Sequence, residues 1–82
     1  MLSFEMKPLE DETSELEVYM DKDGLQTLLT QLGFLQAGKT DHVHLMPESW
    51  GGYDLLDQPV IKNNKPIQHV KIYLSQTALK KN

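Results

Sequence analysis

The chain of 82 residues contains no cysteine and no arginine. Without cysteine it has no disulfide bonds, no thiolate metal sites and no cysteine nucleophile, which fits a reducing compartment. All eight of its lysine and arginine positions are lysine. Arginine is the side chain that usually makes bidentate contacts to phosphate and guanine, so its absence predicts that nucleic acid is not the partner.

Long apolar runs are also missing. No segment approaches the roughly 18 apolar residues that a membrane-spanning helix needs. The N-terminal sequence MLSFEMK has neither the basic start nor the long apolar segment of a signal peptide. The sequence therefore predicts a cytoplasmic protein without a membrane partner. Its length predicts a single domain over residues 1–82, and domains this small often gain stability by associating with a partner.

The charges are distributed unevenly along the chain, although the net charge is only −4. Residues 1–23 carry eight acidic side chains and two lysines, whereas residues 58–82 carry five lysines and no acid. Such an acidic segment is usually a solvated loop, and it can also dock a basic partner.

Hydrophobic periodicity predicts four strands and one helix in the order β-β-α-β-β. Apolar residues at every second position indicate the strands, and five leucines at helical spacing indicate a helix whose stripe faces the core. The strands are predicted over 2–7, 15–20, 41–46 and 67–74, the helix from a cap at Asp21 or Asp23 to a stop at Gly38, and the stripe comprises Leu25, Leu28, Leu29, Leu32 and Leu35. The tail, about 76–82, is predicted to be disordered.

This order of elements predicts a single small α+β domain. The strand–helix–strand connection makes the second and third strands parallel, and the fourth strand then runs antiparallel to the third. We favour the spatial order 1-2-4-3, because the fourth strand is the longest and most β-branched and suits a central position. The result is a mixed four-stranded sheet with the helix packed on one face and the other face uncovered.

The uncovered face is predicted to collect histidine and aromatic side chains and to bind a partner. Trp50 has two interpretations: it plugs the end of the core, or it is an aromatic anchor presented on a loop. The predicted contact residues are Tyr19, His42, His44, Trp50, Tyr53, His69 and Tyr73.

Catalytic chemistry finds little support in the sequence. His44 with Asp41 or Glu48 is the conceivable dyad, but no nucleophile motif accompanies it, so we expect no catalytic residues, no cofactor and no enzymatic activity. An alternative is an open zinc site whose ligands are His42, His44 and His69. No carboxylate is clearly placed as a further ligand, so our primary expectation is that the protein binds no metal.

Three segments carry a resemblance to a known family. VYMDKDGL (18–25), GKTDHVHLMPESWGG (38–52) and HVKIYL (69–74) resemble the immunity protein 32 family of bacterial polymorphic toxin systems, and the match extends over residues 15–74. The positions that carry the pattern are Asp41, His42, His44, Trp50, Gly51 and Gly52. The resemblance implies that the protein neutralises a cognate toxin by binding it inside the producing cell.

Two alternatives from other functional classes stay open. The first is a small structural or regulatory domain that forms a homodimer through the open sheet face or through Phe34, which points away from the leucine stripe. The second is a metal-binding domain that uses the three histidines.

Overall fold

The structure is a computed structural model that describes residues 1–11 and 14–75. These residues form one α-helix, five strands and a single 3₁₀ turn. The elements are β1 (Leu2–Pro8), β2 (Ser14–Met20), α1 (Lys22–Gln36), β3 (His42–Leu45), the 3₁₀ turn (Glu48–Trp50), β4 (Lys65–Pro66) and β5 (Val70–Tyr73). The predicted α+β class is confirmed. The predicted disorder of 76–82 lies outside the described residues.

The strands form two separate antiparallel sheets, in the orders β2-β1-β4 and β3-β5. The single mixed sheet with the order 1-2-4-3 is therefore wrong. The reason is that the long connection after β3 returns to the free edge of β1, where Lys65 pairs with Met6. The Ile67 amide then donates to the Phe4 carbonyl at 2.8 Å. Pro66 has no N–H with which to extend a ladder, and the chain leaves this sheet before it reaches β3.

The β1–β2 hairpin has the predicted alternation. Its register pairs Leu2 with Met20, and Met6 with Leu16, so the apolar side chains lie on one face. Leu2 is buried, whereas Leu16 at the far end of that face is 56% exposed. Only the end of the hairpin near the helix is therefore covered.

The core is small. It is built on three buried leucines, against which five half-buried side chains pack. The buried three are Leu2, Leu45 and Leu55, and the other five are Phe4, Met20, Leu28, Val70 and Ile72.

The leucine stripe of α1 is only partly buried, so the prediction that all five leucines are core is wrong. Leu35 is buried and Leu28 packs on the core. Leu25, Leu29 and Leu32 are exposed by 44%, 52% and 37%. The cause is that α1 contacts β3 and β2 across the junction of two sheets, which is a narrower surface than a four-stranded sheet.

The helix ends follow local signals in the sequence. Of the two aspartates considered, Asp21 is the cap, and its Oδ1 accepts from the Gly24 amide at 2.8 Å. At the other end Gly38 adopts the left-handed conformation, with φ 76°, that stops a helix. In the described part of the chain no helix is long and apolar enough to cross a membrane.

A buried carboxylate lies on the opposite face of β1, where the sequence indicated a polar surface. Glu5 is 0% exposed. It accepts four hydrogen bonds, from Ser3 Oγ (2.6 Å), the Val60 amide (2.5 Å), the Ile61 amide (3.2 Å) and Asn64 Nδ2 (3.0 Å). Burial by itself raises the pKa of this carboxyl, but the hydrogen bonds outweigh burial and hold the pKa below its ordinary value. Glu5 thus fastens the long connection to the central strand.

Candidate functional site

The β3–β5 ribbon has one apolar face and one face of rings and charges. Alternation along β3 buries Val43 and Leu45 and turns the two histidines outward. The antiparallel register places Tyr73 opposite His42, and Lys71 opposite His44. The prediction that the histidines share an outer face is confirmed for this ribbon.

The outer rings contact one another in an unbroken series, which we call the histidine–aromatic face: Tyr73, His42, His44, His69 and Trp50. The Tyr73 and His42 rings stack with centroids 5.1 Å apart and planes 24° apart. His42 meets His44 edge to face at 4.9 Å. His69 continues the series from His44, and the Trp50 indole lies tilted against His69 at 5.9 Å. The series therefore reaches from β5 across β3 to the 3₁₀ turn.

His44 and His69 form a direct hydrogen bond. Nδ1 of His44 lies 2.9 Å from Nε2 of His69, the ring centroids are 5.1 Å apart and the planes differ by 22°. The centroid separation is close to the N–N distance plus the distance from each ring centre to its own nitrogen. The two rings therefore meet edge to edge. One ring donates and the other accepts, which holds the pair in a single orientation when both are neutral.

Three local features position Trp50. Pro47 is buried and begins the 3₁₀ turn, and Gly51 ends it with φ 93° in the left-handed region. Gly52 passes so close to the chain that a Cβ there would lie 2.5 Å from the Met46 carbonyl oxygen. The Trp50 indole N–H then donates to Gln68 Oε1 at 3.1 Å. Trp50 remains 53% exposed, so it does not plug the core.

Charges at the rim of the face affect its titration. Nδ1 of His42 lies 2.7 Å from Oδ1 of Asp41, and that hydrogen bond lowers the pKa of Asp41. The pKa of His44 is also lowered, first by desolvation and then by the positive potential of His42, His69 and Lys71. The neutral form of His44 is therefore favoured in the folded protein.

Two of the predicted contact residues lie outside the face. Tyr19 belongs to β2 in the other sheet, where its hydroxyl donates to Glu17 Oε1 at 2.9 Å and its pKa is raised by that bond. Asn64 donates to the same oxygen of Glu17 at 2.9 Å. Tyr53 lies in the long connection with 90% of its surface exposed and makes none of the ring contacts found among the described residues. The prediction grouped Tyr19 with the histidines because it assumed one continuous sheet, whereas Tyr53 was included as an exposed aromatic in the loop that follows Trp50.

The three histidines do not converge on a common point. The facing nitrogens of His44 and His69 point at each other, while Nδ1 of His42 points at Asp41. Across residues 1–11 and 14–75, no group of three or more His, Cys, Asp or Glu side chains is arranged to hold a metal ion. The histidine that pairs with Asp41 is His42, so the conceivable dyad of Asp41 with His44 is not formed.

Gln68 was not singled out in the sequence, although it precedes His69 and holds the indole of Trp50. No local pattern marks such a residue, because its partner lies 18 positions away.

Comparison with known proteins finds no relative: no protein-family model, curated protein or solved structure matches the chain.

Proposed function

We propose that this protein is a cytoplasmic immunity protein that binds and neutralises a cognate bacterial toxin, and that the histidine–aromatic face makes the contact. The observation that carries the proposal is the exposed, unbroken ring series from Tyr73 to Trp50. Tyr73 is 58% and Trp50 53% exposed. Tryptophan and tyrosine are the residue types that most often dominate the binding energy of protein interfaces.

The face is also held in place before any partner arrives. The indole of Trp50 is fixed by Gln68, the ring of His44 by His69 and the ring of His42 by Asp41. Side chains that are already ordered lose less conformational entropy on association, which favours affinity.

The balance of charges suits the surface of a protein partner. Asp41 and Lys71 flank the rings with opposite charges, and the ring nitrogens of the histidines offer hydrogen-bonding groups. A mixed rim of this kind favours specificity by matching complementary groups on one partner.

The acidic N-terminal half supports the proposal less than the sequence suggested. Two of its carboxylates, buried Glu5 and half-buried Glu17, accept hydrogen bonds from Asn64 of the same chain. The net charge of −4 still attracts a basic toxin from a distance, and this steering weakens as salt rises.

The proposal expects a toxin gene next to this one, and co-expression with the product of such a gene tests it. We expect wild-type protein to restore growth of cells that produce the toxin. Trp50→Ala is expected to lose protection, whereas Tyr53→Ala, an exposed aromatic outside the ring series, is expected to keep it. If the toxin stays fully active beside the wild-type protein, the immunity function is wrong. If Trp50→Ala protects as well as wild type, the contact surface is wrong.

A further inference from the structure

One edge of β5 pairs with no other strand in the described part of the chain. The Leu74 amide donates to the Asp41 carbonyl of the neighbouring segment at 2.9 Å. Because backbone groups alternate in direction along an antiparallel strand, Ile72 also faces β3, whereas the N–H and C=O groups of Lys71 and Tyr73 face the opposite edge. An open edge of this kind is a template for pairing with another chain.

Apolar grooves lie at both ends of this edge. The first has a volume of about 630 Å³ and lies between α1 and the C-terminal end of β5. The second has a volume of about 370 Å³ and lies between β5 and the apolar face of the hairpin. Apolar residues of the first include Leu29, Leu32, Ile72 and Leu74, and those of the second include Phe4, Met6, Leu16 and Val70. A strand added to β5 would therefore meet apolar surface along its length.

We propose that the occupant of this edge is β5 of a second copy of the chain. Two β5 strands would pair antiparallel about a two-fold axis through Ile72, forming a continuous four-stranded sheet in the order β3-β5-β5-β3. In this register Ile72 faces Ile72 of the second copy, Val70 faces its Leu74, and Lys71 faces its Tyr73. A two-fold contact needs a self-complementary surface, and this register pairs apolar with apolar residues on one face of the strand and lysine with tyrosine on the other.

The neighbouring two-fold registers fit less well. An axis through Lys71 would set two lysines directly opposite each other, and like charges at such positions are destabilising. An axis through Tyr73 would leave Lys71 opposite Ser75. Within its own chain, Lys71 Nζ already lies 5.9 Å from the centre of the Tyr73 ring, and the Ile72 register offers the same cation–π contact between copies.

Exposed leucines gain cover in this arrangement. Leu74 is 45% exposed. In the dimer, Leu74 of the second copy would lie opposite Val70 of the first copy, beside the groove that Val70 and Leu16 line. Val70 of the second copy would lie beside the groove lined by Leu29, which is 52% exposed. The self-pairing does not depend on the toxin-binding function proposed above.

Sedimentation of the full chain and of two Tyr73 variants tests the proposal. We expect wild-type protein to shift with rising concentration towards twice the 9.4 kDa mass of the chain. Tyr73→Lys places two lysines opposite each other at both ends of the pairing, so its dimer dissociation constant should rise roughly tenfold. Tyr73→Glu loses the same ring but faces Lys71 with an opposite charge, so its dimer should persist and weaken with added salt.

Lys71→Pro gives an independent check. Proline removes the lysine side chain and an N–H that points away from β3, and it leaves the hydrogen bonds to β3 intact, so the monomer should keep its fold by circular dichroism while the dimer is lost. Wild-type protein that stays monomeric up to millimolar concentration overturns the proposal. A dimer that Tyr73→Lys and Tyr73→Glu weaken equally, or that survives in folded Lys71→Pro, overturns it as well.

Discussion

The Nδ1 atom of His44 lies 2.9 Å from the Nε2 atom of His69, in line and edge to edge, on the outer face of the β3–β5 ribbon. The two residues are 25 positions apart in the chain. Their hydrogen bond joins the histidines of β3 to Trp50, because His69 is the ring that the indole touches. The pair therefore connects the two halves of the histidine–aromatic face.

This pair predicts sensitivity to mild acid. The pKa of His44 is lower in the folded protein than the ordinary value of about 6.5. Stability from the neutral pair is thus fully present above that ordinary pKa and is lost as the pH falls through the lower, folded value. We expect an NMR titration of the folded protein to give His44 a pKa measurably below the ordinary value of about 6.5. Lys71→Gln should raise it, because a nearby positive charge is removed.

A His44 pKa at or above its ordinary value would contradict this account. So would a folded structure whose melting temperature stays unchanged between neutral pH and the acid side of the His44 titration.

Alanine substitutions at Gly52, beside the turn that carries Trp50, and at Gly33, in α1, are expected to change stability in opposite directions. Gly52→Ala forces a Cβ against the Met46 carbonyl oxygen, at 2.5 Å, and should lower the free energy of unfolding by about 1–3 kcal/mol. Gly33→Ala lies in α1 with nothing within 4 Å of the new Cβ, and should raise it by up to about 1 kcal/mol. Urea unfolding measures both. Equal effects from the two variants would show that the close approach at Gly52 does not constrain the turn.

The buried carboxylate predicts a large effect from a small chemical change. In Glu5→Gln an NH₂ group replaces an acceptor among groups that all donate, so the free energy of unfolding should fall by about 1–3 kcal/mol. Glu10→Gln, at an exposed position in the turn after β1, is the matched control and should change little.

The pKa of Glu5 adds a pH dependence to this effect. Because the folded pKa lies below the ordinary value, the wild-type advantage over Glu5→Gln should be present above the ordinary pKa of glutamate and be lost as the pH falls through the folded pKa. An advantage that grows on acidification would contradict the hydrogen-bonding account.

Elements with strong local signals were predictable from the sequence. Alternation placed the β1–β2 hairpin within one residue at its ends, and Gly38 marked the end of the helix. The alternation of His42 and His44 was enough to predict their common face, because it depends only on the geometry of one strand.

Features that depend on distant pairing were not predictable in the same way. The sheet order turned on the two-residue strand Lys65–Pro66, which is too short to leave a periodic signal. The burial of Glu5 depends on donors 55 to 59 positions away. Assuming one sheet also placed Tyr19 on the wrong surface. Each of these errors arises from a contact between residues that are far apart in the chain, which local sequence patterns do not reveal.

The most direct test of the proposed toxin binding is the affinity of purified variants for the candidate cognate toxin, measured by calorimetry. Removal of a central aromatic anchor from an interface typically costs more than about 2 kcal/mol, so Trp50→Ala should weaken binding at least roughly thirtyfold. Tyr53→Ala should bind within about threefold of wild type, because near-neutral positions surround such anchors. Trp50→Ala that binds as tightly as wild type would contradict the account.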